Sequence, residues 1–217
     1  MIDLHTHTTF SDGVLIPAES ARRAAKAGYQ AMAMTDHADE SNMEWIVANI
    51  SRFVKLTGPY LDLEVLSGVE ITHVPPALIP DAIAKARELG AQIVVVHGET
   101  VVEPVLTGTN LAAIEGGADI LAHPGMLTPE EAELAAQRSV ALEITSRKGH
   151  SLTNGRVAAL ARQFGAKLVL NNDAHEPGDF IGLELRKKVA LGAGLTPEEY
   201  LQAEANSRDL INRLRIR

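Results

Sequence analysis

Short apolar runs alternate along this chain with longer stretches in which apolar residues return at every third or fourth position. The first pattern fits strands buried on both faces, and the second fits helices with one apolar side. Strands are therefore predicted over residues 2–5, 31–35, 64–71, 92–96, 119–122, 140–144 and 167–170, and helices over 17–27, 80–89, 110–115, 129–137, 154–164, 180–191 and 197–213. A further helix is expected from Asn42, a capping residue; it carries Ile46, Val47, Ile50, Phe53 and Val54 at helical spacing and ends at Gly58-Pro59. Pro17 stands where a first helical turn accepts proline, Gly28 supplies a stop, and Thr153 is placed to cap the helix after it.

Alternation of strand and helix implies parallel strands covered by helices. Seven such strands either form an open doubly wound sheet or close into a barrel, and the polar residues favour the barrel. His5 and His7 belong to the first strand, His37 follows the second, Glu70 lies in the third, His97 and His123 follow the fourth and fifth, and Asp173 and His175 follow the seventh. A barrel gathers the C-terminal ends of its strands at one mouth, so six of the eight histidines would converge there. His5 and His7 are two apart and leave the same face of an extended backbone, which is a chelating geometry. A lone His-x-His carries little; its repetition by His, Asp or Glu at strand after strand points to metal ions, because so many titratable groups on one rim need cations to hold them.

Composition narrows the chemistry. The chain has 217 residues, 46% hydrophobic and 22% charged, which suits a single domain spanning 1–217 with a sizeable core. No linker, repeat or low-complexity tract divides it, its apolar segments fall short of a membrane span, and its start lacks an export pattern, so a cytoplasmic home is expected. With no cysteine, metal ligands must be nitrogen and oxygen, which suits zinc, manganese or iron. A net charge of −8 argues against a broad nucleic-acid surface.

His5-Thr6-His7-Thr8 with Ser11-Asp12-Gly13, then Thr35-Asp36-His37, Gly68-Val69-Glu70, His97, His123-Pro124 and Asn172-Asp173-Ala174-His175, in that order, resemble the motifs of the PHP (polymerase and histidinol phosphatase) family along the whole chain. The resemblance implies a distorted seven-stranded β/α barrel of TIM-like type, with three divalent metal ions at its mouth. By matching motif, it puts His5, His7, Glu70 and Asp173 on one ion. Glu70 would bridge to a second ion on His97 and His123, and Asp12, His37 and His175 would hold the third.

Three divalent ions against the carboxylates of Asp12, Glu70 and Asp173 would leave a cationic pocket in an acidic protein, suited to a phosphate monoester. A metal-bound hydroxide, with Glu70, Asp173 and His175 nearest, would attack phosphorus in line without a protein nucleophile. The expected activity is hydrolysis of a small phosphomonoester such as histidinol phosphate. A phosphodiesterase or nuclease acting on nucleic-acid ends, an amidohydrolase-type hydrolase and a non-catalytic metal-binding module stand as alternatives. Arg147, Lys148 and His150, in the loop after the sixth strand, are candidates to hold substrate phosphate. Asp36, Glu99 and Glu143 are candidates to orient ligand imidazoles. Loops 72–80, 98–108 and 147–154 are expected to shape specificity, with His73 reading as loop structure and Trp45 as packing.

Overall fold

The computed structural model describes residues 1–215. Its strands are β1 (Ile2–Asp3), β2 (Ala31–Met34), β3 (His37–Ala38), β4 (Glu64–Ile71), β5 (Ile93–His97), β6 (Ile120–Ala122), β7 (Ala141–Thr145) and β8 (Leu168–Asn171). Between and after them come α1 (Pro17–Ala27), α2 (Met43–Thr57), α3 (Ile79–Glu88), α4 (Thr109–Glu115), α5 (Pro129–Arg138), α6 (Asn154–Phe164), α7 (Leu183–Gly192) and α8 (Pro197–Leu214). All pairings are parallel in the order β1-β2-β4-β5-β6-β7-β8, with the two-residue β3 beside β4. The bridge between Thr6 and Ala174 brings the two ends of the sheet together, so the sheet is a nearly closed α/β barrel of TIM-like type.

Strand alternation sorts the core into two. Ile2, Leu4, Ala31, Ala33, Leu66, Ile93, Val95, Ile120, Ala141 and Val169 fill the barrel interior, where Leu210, Ile211 and Leu214 of α8 join them. Met32, Met34, Val69, Val94, Val96, Leu142 and Ile144 face outward, against the apolar sides of the helices. Followed two residues at a time along the inward face, the apolar positions give way to Glu70, His97, Glu143 and Asn171. The period that builds the core therefore also aims the polar groups at the mouth.

Local sequence explains most element ends. α5 and α8 each start with a full capping box, Thr128 with Glu131 and Thr196 with Glu199, followed by proline at the first helical position; such a cap contributes about 1 kcal/mol. Two expected caps do not form. Asn42 precedes α2 without bonding its backbone, because its side chain accepts from Asp39 N and donates to His37 O. Thr153 makes no side-chain cap, and Asn154 instead bonds the backbone of Thr145 in both directions. β1 ends sooner than predicted because the side chain of Asn171 takes the Leu4 amide at 2.8 Å, and α7 begins at Leu183, after a short 3-10 turn at Pro177–Asp179. No helix among the described residues is long and apolar enough to cross a membrane.

Candidate metal centre

All eight histidines of the chain form one connected group of rings at the C-terminal mouth, two more than the strand-end pattern foretold. His5 and His7 have ring centroids 5.0 Å apart. Gly13 explains how Asp12 reaches them: a Cβ there would lie 2.6 Å from the His7 carbonyl group, so only glycine lets the loop fold onto the strand.

The donor atoms meet in four overlapping sets: His7, Asp12, His37 and His175; His5, His123 and Asp173; His5, His7 and Glu70; and Glu70, His97 and His123. Thus the nine residues expected from the motifs do come together. The geometry adds His7 to the Asp12 group and draws His123 toward Asp173 as well as Glu70. The first predicted quartet is divided between two of these sets, with His5 in both. His5 Nε2 lies 3.2 Å from Glu70 Oε1 and 3.7 Å from Asp173 Oδ1, while His7 Nε2 lies 3.2 Å from Asp173 Oδ1 and 3.7 Å from Glu70 Oε2.

Proton placement tests whether cations fit. His5 Nδ1 is 2.9 Å from Glu143 Oε1, an acceptor, so Nδ1 carries the proton and a neutral ring turns the lone pair of Nε2 toward Glu70 and Asp173. His175 Nδ1 donates to the Asp173 carbonyl and His97 Nδ1 to that of Gly98, which leaves Nε2 of each as an inward donor to metal. His5 Nε2, both nitrogens of His7, Glu70 Oε1, His123 Nδ1 and Asp173 Oδ1 are buried without a hydrogen-bond partner. Lone pairs facing lone pairs in a dry site are costly unless cations lie between them, and this donor set of imidazoles and carboxylates fits divalent ions.

Electrostatics point the same way. Burial would raise the carboxyl groups, yet the charges of His5, His37 and His97 outweigh it and hold Glu70 well below the usual range. Asp173 is likewise held down against burial by His5, His7 and His123. Burial, with repulsion from His37, pushes the His7 ring down to about 3, and burial with His97 lowers His123. Burial would also lower His5, but Glu70, Glu143 and Asp173 more than offset it and hold the ring well above its ordinary value. A positive charge at that nitrogen, proton or metal, is what these carboxylates select.

The supporting residues divide differently from expectation. Glu143 does orient an imidazole: one oxygen holds His5 and the Asn171 amide, and the other accepts from the His123 backbone. Asp36 touches no ring in this way; it gathers the Thr8 amide and hydroxyl and the Ser11 hydroxyl, fixing the loop that carries Asp12. Glu99 turns away to accept from the amides of Gly108 and Asn110 at the start of α4. Arg147 is paired with Asp179 at 3.0 Å, and Asp179 also accepts from the amides of His175 and Glu176, so Arg147 braces the His175 segment. Lys148 is exposed. His150 is buried beside the centre, its ring 4.3 Å from that of His123.

Sequence reasoning missed Glu103, whose oxygens approach His97 and His150 at 3.1 and 3.3 Å. The available signal was a carboxylate in the loop after a histidine-bearing strand end. It also gave His73 too small a part, for its ring stacks 5.5 Å from that of His97. Backbone strain marks the same region: His73, His123 and Asp173 have φ of 55°, 26° and 54°, and such conformations cost of order 1–3 kcal/mol each.

Comparison with known proteins agrees with this geometry. Residues 3–98 match the PHP domain. The chain is 52% identical over 199 residues to "Uncharacterized protein MJ1295" of Methanocaldococcus jannaschii, covering 91% of each. It is 27% identical to "Probable phosphatase YcdX" of Escherichia coli, covering all of this chain and 94% of that one. The crystal structure of histidinol phosphate phosphatase from Lactococcus lactis, complexed with zinc, L-histidinol and phosphate, superposes with a TM-score of 0.61 over 90% of this chain and 94% of that chain, at 14% identity. With its barrel, its polar mouth and these similarities in agreement, the chain belongs to the PHP family.

Proposed function

We propose that this protein is a metal-dependent phosphoesterase that hydrolyses a small phosphomonoester, of the histidinol phosphate kind, at a centre of three divalent ions. One observation carries the reading: buried imidazole and carboxylate atoms crowd together at 3.2 to 3.7 Å, several of them without a hydrogen-bond partner. Their relatives' names support the phosphate chemistry. His5, His7, Glu70 and Asp173 would hold one ion, Glu70, His97 and His123 a second, and Asp12, His37 and His175, with His7 beside them, the third. Bound ions of zinc, manganese or iron supply Lewis-acid stabilisation of phosphoryl oxygens and a nucleophile drawn from water at neutral pH.

The chain's own residues prepare that chemistry. Glu143 and the carbonyls of Gly98 and Asp173 fix ring orientation, so that donor atoms need no rearrangement when substrate arrives. Arg147 already has one anionic partner, Asp179. Gripping phosphate would therefore have to rely on the guanidinium donors that Asp179 leaves free, with Lys148 at the solvent edge and His150 beside His123 as the other basic groups.

A phosphate-release screen over small monoesters, cyclic nucleotides and short DNA, on protein whose metal content is quantified, tests the reading. Fast turnover of a monoester with about three ions bound, abolished by chelator, is the expected outcome. Metal-loaded protein that cuts only diesters, or only amides, would replace it with the phosphodiesterase or amidohydrolase alternative.

A further inference from the structure

Three loops at the mouth, those that follow β5, β6 and β7, are locked into one wall. Asn110 accepts from the Glu99 amide and donates to Pro124 O, each at 2.9 Å, and the Gly98 amide bonds Ala122 O. Gly125 is pressed so closely against the Glu99 carbonyl that no side chain fits there. Thr100 Oγ1 meets His150 Nδ1 at 2.8 Å, and a Cβ added to Gly149 would come within 3.3 Å of Val102. The wall adjoins the metal centre through His150, whose ring is 4.3 Å from that of His123.

Most polar side chains of this wall already have protein partners. Glu99 accepts from the Gly108 and Asn110 amides, Glu103 pairs with His73, His97 and His150, and Arg147 pairs with Asp179. What the wall offers to solvent is apolar: Val101, Val102, Met126 and Leu152 are 46% to 73% exposed, with Lys148 at the edge. Apolar side chains gathered in water beside a reactive centre gain free energy only when something covers them. A second copy of the chain seated there would stand over the mouth and close it. The alcohol of an ester has no such conflict, because with its phosphate at the centre it extends outward past His150 along this wall.

We propose that Val101, Val102, Met126 and Leu152 form the surface that receives the alcohol of the substrate, and that this alcohol is apolar, an alkyl or aryl group rather than a polyol or sugar. The inference rests on the phosphoesterase reading above and narrows its substrate class.

Hydrolysis of the n-alkyl phosphates from ethyl to hexyl by the metal-loaded full chain tests it. These leaving alcohols have nearly the same acidity, so the series varies the apolar contact and leaves the chemistry alone. The kcat/KM should rise about two- to fourfold per methylene until the wall is covered. Propyl phosphate should be preferred to glycerol phosphate, which adds two hydroxyls to the same three carbons. V102S/L152S, checked for folding by circular dichroism, should flatten the series, whereas L201S, at an exposed apolar position of α8 away from the mouth, should keep the wild-type slope. A flat series in the wild type, or an unchanged slope in V102S/L152S, overturns the assignment of the wall while leaving the phosphoesterase reading in place. A wild-type dimer in sedimentation that V102S/L152S dissociates gives the surface to a second copy instead and likewise overturns it. Metal-loaded protein that hydrolyses no monoester at all overturns the reading on which the inference rests.

Discussion

Two buried polar regions share the strands β1 and β8, and they are built on opposite principles. At the seam below the mouth, Arg186 of α7 is fully buried yet well served: its guanidinium donates to Glu204 at 2.6 Å, to Ile2 O at 2.6 Å and to Leu170 O, and lies 5.6 Å from the Tyr29 ring. Beside it, Asp3 accepts from the Asn172 amide and side chain and from the His5 amide. Only Nη1 of that guanidinium is without a partner. At the mouth, six donor atoms of His5, His7, Glu70, His123 and Asp173 are orphaned together. A buried charge met by the chain's own groups is architecture, whereas a cluster of buried lone pairs aimed at one another awaits something the chain does not supply.

The comparison breaks first if the mouth proves dispensable. Asp173→Asn, which keeps a residue type tolerant of positive φ, should drop hydrolysis below about 1% of wild type. The circular dichroism of metal-free protein should barely change, since asparagine keeps the shape of the side chain in the same backbone conformation. Full activity in this variant would remove the catalytic reading of the site.

Arg186→Met should do the reverse. Stripping the guanidinium leaves Glu204 and two strand carbonyls without their donor and should cost about 3–5 kcal/mol in urea unfolding, with turnover per folded molecule close to wild type. An activity loss without a stability loss would mean that the seam and the centre are one functional unit.

The smallest effect sharpens the contrast through pH. Burial pushes the Asp3 carboxyl up to about 7, against the Arg186 charge and the amide donors of Asn172 and His5. The folded value lies above the unfolded one of about 4, so folding takes up a proton between them. This contribution to stability is present in full below about pH 4 and is lost as pH rises through about 7. The stability difference between wild type and Asp3→Asn, measured by urea unfolding, should therefore be more favourable to wild type at pH 4.5 than at pH 7.5. A constant difference would show that Asp3 is ionised throughout.

Much of this was legible from the chain alone, and for a definite reason. β4, α1 and α6 fall at their predicted limits, because period-2 and helical spacing are properties of an element by itself. The nine residues picked out by motif all reach the mouth, since parallel strands must all end there. Arg147, Asp36 and Glu99 lie in the expected neighbourhood, and the structure gives each a protein partner that the sequence did not name. Each sits in a loop or at its edge, where the partner is chosen by segments far away in sequence.

By itself, then, the sequence determined the parallel barrel and the rim residues that converge at its mouth, because alternation along a strand assigns each side chain a face before any tertiary contact exists. Only the tertiary structure decided which nitrogen of His5, His97 and His175 carries a proton, that Glu103, His73 and His150 join the cluster, and that Arg186 is a staple. Those outcomes depend on distances between loops and strands that no local pattern encodes, and on burial, which sets the cost of every unshared lone pair.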